Sequence, residues 1–101
     1  MKKLILDDKS YIVETNISLN EIYITLINDD NENELNYFVD WLENSTIYDK
    51  SDIVKNGCLI SSISYDRFHL ANIYNIQPLE IHTFSVDKIV VTLFYDYSIE
   101  L

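Results

Sequence analysis

Few residues in this chain could do chemistry, and their spacing limits what they could be. Asp29-Asp30-Asn31-Glu32-Asn33-Glu34 comes nearest to a known ligand pattern. Asp29, Asn31 and Asn33 hold the alternate positions of a calcium loop, and Asp40 stands at the twelfth. However, Glu34 replaces the glycine that such a loop needs for its sharp turn, and Asp40 replaces the bidentate glutamate. The segment reads better as a helix start. Asn31 with Glu34 three residues on has the form of a capping box, and clustered acids favour the positive end of a helix. No metal is expected.

His69 and His82 are the only histidines, and neither has a Cys or His near it in sequence. Strand histidines that face solvent or are satisfied locally are the expectation, because a zinc site would need carboxylates to complete it. Cys58 is the only cysteine, which excludes a disulfide within the chain and an all-cysteine metal site. Its apolar setting, Cys58-Leu59-Ile60, predicts a small core residue. Nothing nearby in sequence offers the positive charge or helix N-terminus that would activate the thiol. Ser61-Ser62-x-Ser64 reads as a polar strand face. With one glycine in all, a phosphate-cradling loop is absent. We therefore expect no enzyme, no catalytic residue and no cofactor.

The elements follow from hydrophobic period. Leu4–Leu6 and Tyr11–Glu14 predict short strands, Asn16–Asn20 a turn, and Glu21–Asn28 a firm strand with Ile22, Ile24 and Leu26 on one face. The period then changes: Leu35, Phe38, Val39 and Leu42 form one helical stripe, which predicts a helix over Glu32–Glu43. Phe38 and Trp41 are its expected core anchors. Asn56-Gly57 predicts a chain reversal. Strands are predicted over Cys58–Tyr65, Phe68–Ile76 and Leu79–Val86, with a turn at Asp66-Arg67 and a kink from Asn75 to Pro78. The final strand, Asp87–Ser98, is the strongest. One face carries Ile89, Val91, Leu93, Tyr95 and Tyr97, the other Lys88, Val90, Thr92, Phe94 and Asp96. An antiparallel strand with one wet face alternates more cleanly. Something should therefore cover the second face: the helix, another sheet, or another copy of the chain.

The whole chain, 1–101, reads as one α+β domain, an antiparallel sheet or sandwich of six to seven strands with one helix packed on it. At 48% apolar and 13% aromatic it is a folding sequence. The net charge is −10, and no lysine or arginine lies between Ser10 and Asp49. That balance argues against wrapping nucleic acid and against anionic membrane surfaces. Lys2-Lys3-Leu4-Ile5-Leu6 stops at Asp7-Asp8, too short an apolar run for a signal peptide. An intracellular place of synthesis is expected.

Two groups of segments together resemble the tail-tube proteins of long-tailed bacteriophages. The first is Ile22–Asp30 followed by Asn36-Tyr37-Phe38-Val39-Asp40-Trp41-Leu42, a strand, an acidic turn and a helix with an aromatic pair. The second is Ala71–Ile81 around Pro78, then Thr83-Phe84-Ser85 leading to Val91-Thr92-Leu93-Phe94-Tyr95-Asp96-Tyr97. The chain lacks the N-terminal extension and longer loops usual in that family. The resemblance implies a virion protein, made in the host bacterial cytoplasm, that forms hexameric rings around a channel. DNA would pass through an acidic lumen without being bound, and other tail proteins would be partners. It also implies a shared surface, for which Tyr23, Thr25, Val90, Thr92 and Phe94 are the candidates. A tail-end or baseplate adaptor of the same fold is equally compatible. The rival reading, from charge alone, is a small acidic phage-encoded inhibitor or an immunity-type binding protein.

Overall fold

A computed structural model describes residues 2–27, 32–44, 54–64, 67–85 and 88–101. Three strands, β1 (Lys2–Leu6), β2 (Lys9–Ser18) and β3 (Glu21–Ile27), are followed by helix α1 (Glu32–Asn44). Then come β4 (Lys55–Ser64), β5 (Arg67–Phe84), β6 (Lys88–Phe94) and β7 (Tyr97–Glu100). Every pairing is antiparallel. The mostly antiparallel sheet with one helix agrees with the α+β expectation.

The strand order is β4-β1-β2-β3-β6-β5-β7, and β4 also pairs with β5. The pairings from β1 to β6 thus return to their start, and the sheet closes into a barrel. Closure satisfies edge strands within the chain. Two turns make the first meander possible. Asp7 and Asp8 both take left-handed backbone (φ 47° and 67°), as a two-residue β1–β2 turn of matching twist requires. Asn20 does the same at the β2–β3 turn (φ 64°), a conformation that asparagine tolerates better than most residues.

Alternate residues fill the interior. Leu4, Leu6, Tyr11, Val13, Ile22, Ile24, Leu26, Leu59, Ile73, Ile76, Ile89, Val91 and Leu93 are buried there. Phe38, Trp41 and Leu42 of α1 belong to the same cluster. The helix therefore covers one end of the barrel, beside the β1–β2 turn, and its anchors are as expected. The Phe38 ring lies 5.2 Å from that of Tyr11 and 5.6 Å from that of Trp41. The Tyr11 hydroxyl donates to the Glu34 carbonyl at 2.7 Å.

Several local expectations are corrected. Asn16-Ile17-Ser18 belongs to β2, and only Leu19-Asn20 turns, because pairing with β3 continues to Ser18↔Glu21. Asn56-Gly57 does not reverse the chain; it lies inside β4, at a register shift against β5. There Gly57 meets a steric demand instead: a Cβ would sit 2.9 Å from the Ile5 carbonyl oxygen and 3.1 Å from Ile76 Cδ1. The strands expected on either side of Pro78 are one, β5, whose pairing changes at the kink. Residues up to Ile76 pair with β4, and those from Gln77 pair with β6. Asn75 marks the change with φ 58°. Arg67 is in β5, not a turn. The last strand breaks at Tyr95–Asp96 into β6 and β7. Cys58 is not core: it is half-buried on the outer side, between Ile5 and Asn72, while its neighbour Leu59 points inward. The calcium-like positions Asp29 and Asn31, the cap at Asn31 and the turn residue Asp66 lie outside the described residues.

Candidate functional site

The outer face of β3 and β6 holds the residues picked for a shared surface. Register sets Tyr23 beside Thr92 and Thr25 beside Val90, with Phe94 beside Glu21. Tyr23 is 45% exposed and Ile27 40%, whereas Thr25, Thr92 and Phe94 are half-buried. Val90 is only 4% exposed, already covered within the chain between Thr25 and Thr83. A side chain so covered cannot itself meet a partner, so Val90 drops out of the candidate surface. His82 covers part of Thr92 and Tyr23 on the same face. Its Nε2 lies 2.7 Å from Thr92 Oγ1, and its ring is 5.2 Å from that of Tyr23. The helix takes no part, since its buried side chains join the opposite, interior face.

A polar clasp ties α1 to the barrel. Tyr37 and Lys55 both donate to the Asp7 carboxylate, and Lys55 Nζ also reaches the Tyr37 hydroxyl at 2.9 Å. The Lys55 ammonium stands 4.9 Å from the Tyr37 ring centroid and 6.0 Å from that of Trp41, where each ring face attracts it. Hydrogen bonds from Lys55 and Tyr37 hold the Asp7 carboxyl below its ordinary range. Burial works to lower Lys55, but its bonds to Asp7 and Tyr37 outweigh burial and its pKa rises. Burial pushes the Tyr11 phenol well up. The clasp joins Asp7 of the β1–β2 turn, Tyr37 of α1 and Lys55 of β4.

The histidines stand apart. His82 is on the outer face, and His69 faces Glu100 across β5 and β7, with Nε2 3.4 Å from Oε2. Neither touches Cys58, whose cross-strand neighbours are Ile5 and Asn72. Among the described residues, no three His, Cys, Asp or Glu side chains gather where an ion could be held. No described helix is long and apolar enough to cross a membrane.

Sequence reasoning missed the clasp and the end of the barrel opposite α1. Both are built from residues far apart in the chain. The only available signal was that inward positions turn polar at strand ends: Lys2, Thr15, Ser61 and His69. Comparison with known protein families, with characterised proteins and with solved structures finds no match for this chain.

Proposed function

We propose that this protein is a structural component of a bacteriophage tail, in the tube or as a tail-end or baseplate adaptor, that assembles with copies of itself into rings. What supports the reading, beside the sequence resemblance, is the outer face of β3 and β6. It carries Tyr23 and Ile27 exposed, and the chain's own helix lies on the other face. Of the three covers named for that face, the helix packs on the other side and the described strands all belong to one sheet, and we assign the cover to a neighbouring copy. The acidic balance suits a channel that DNA passes without sticking.

Substitution of exposed residues separates assembly from folding. Tyr23→Lys with Ile27→Lys should leave the circular dichroism of the monomer unchanged, because exposed changes usually fall within about ±0.5 kcal/mol. Sedimentation should show assembly lost. A parent protein that stays monomeric at high concentration, or a double mutant that assembles like the parent, overturns the reading. Val90→Lys is unsuitable for this test, since a charge at that covered site would damage the fold itself.

A second reading, a small acidic binding protein of the inhibitor or immunity type, is favoured by the closure of the β1–β6 pairings, which leaves little strand edge to share. One tight, salt-sensitive host partner together with no self-assembly would select it.

A further inference from the structure

The end of the barrel away from α1 is hollow. A cavity of about 290 Å³ opens there, lined among others by Ile22, Leu59 and Ile73. These three are buried core residues and make an apolar floor. The hollow exists because small side chains stand on its walls: Ser61 on β4, Ala71 on β5 and Ser98 on β7. Register arranges the rim. Lys2 pairs with Ser61, and Ser61 pairs with His69, so an ammonium, a hydroxyl and an imidazole lie side by side across three strands.

Each rim group keeps hydrogen-bonding capacity. Lys2 Nζ gives one bond, to Thr15 Oγ1 at 2.8 Å, and an ammonium has three donors. The Ser61 hydroxyl has no hydrogen-bond partner among the described residues. His69 turns Nε2 toward Glu100, and with the ring proton there Nδ1 is left as an acceptor. Arg67 at the start of β5 adds positive charge near this end. Apolar depth with a few convergent polar groups at the entrance is the form of a small-molecule site.

We propose that this mouth binds a small amphipathic carboxylate, a short aliphatic or aromatic acid. Its apolar body lies on Ile22, Leu59 and Ile73, and its carboxylate meets Lys2 and Ser61. Lys2 supplies the charge and Ser61 a donor. Glu100 also lines the mouth; its carboxylate, 74% exposed, faces His69 Nε2 and sets the ring's orientation. The proposal does not depend on the assembly reading, because the mouth and the β3–β6 outer face use different residues.

The test is a titration of the full chain, read by the backbone amide resonances, with hexanoate, hexanol and hexylamine. These share one chain and differ in head group. Hexanoate should move the amides of Ser61, Ala71 and Ser98 saturably and bind more tightly than the other two. Lys2→Gln should weaken hexanoate at least about tenfold, the worth of one hydrogen bond to a charged group, and leave hexanol unchanged. Ala71→Leu should fill the hollow and abolish binding of all three. Should that variant fail to fold, Lys2→Gln at the open rim decides alone. No saturable shift with hexanoate, or hexanol binding as tightly, overturns the proposal. Tighter binding of hexylamine also overturns it, because Glu100 would then be the recognising group.

Discussion

Gly57 shows how one residue can be misread from its neighbour. Beside Asn56 it signals a turn; in the fold it sits in β4 with β1 and β5 close on either side. A methyl there would press on the Ile5 carbonyl and on Leu6 Cδ2, both at 2.9 Å, and backbone cannot swing aside as a side chain can. Gly57→Ala should therefore destabilise by about 1–3 kcal/mol, the usual cost of overpacking. Urea unfolding measures it, and an unchanged midpoint would mean the strands can part at no cost. Asp7 carries the second residue-scale prediction. Its folded pKa lies below the ordinary 3.8, so its contribution is fully present above that value. It is lost as pH falls through the lowered folded value. Lys55 works in the opposite sense. Its folded pKa lies above the ordinary 10.5, so its contribution is present below that pH and lost as pH rises through the raised value. Lys55→Met should thus lower stability at neutral pH and flatten both the acid and the alkaline flank of the stability curve. The acid effect is modest, since Asp7 is 48% exposed and water screens it. Parallel flanks in mutant and parent would show that the clasp does not couple to protons.

The elements were legible where one period ran uninterrupted. The stripe of Leu35, Phe38, Val39 and Leu42 predicted α1, and Ile22, Ile24 and Leu26 predicted the inner face of β3. Reading failed where tertiary contact overruled a local signal. Polar Asn16 and Ser18 stay in strand because β3 offers them partners. Asn75 and Pro78 kink a strand without ending it, because β4 pairs on one side before the kink and β6 on the other side after it. The break at Tyr95–Asp96 had no sequence signal at all. It is held from outside: the Asn20 side-chain amide donates to the Tyr95 and Asp96 carbonyls at 2.9 and 3.0 Å, and the Tyr95 amide donates back to the Asn20 carbonyl. At this scale the sharpest expectation concerns the helix. Trp41→Ala should cost about 3–5 kcal/mol, a large part of a small domain's total. A denaturation midpoint close to the parent's would mean that α1 is not needed to close its end of the barrel.

For the whole molecule, the antiparallel sheet and the single helix between two sets of strands could be read from the chain, but the closure could not. Closure rests on β1 meeting β4 and β3 meeting β6, pairs whose partners lie far apart in sequence with no local mark. Of the candidate surface, Tyr23 is exposed, while Val90 is buried within the chain. The closed order also sets a timetable for biosynthesis. Either meander by itself, β1–β3 or β4–β6, has two unpaired edges and an uncovered apolar face. The seam between β3 and β6 can form only when Lys88–Phe94 has left the ribosome. The greater part of the chain must therefore wait outside the exit tunnel, unfolded and in need of protection from its neighbours. A nascent chain arrested before Lys88 should remain protease-sensitive, and one arrested with β6 fully emerged should become resistant in a single step.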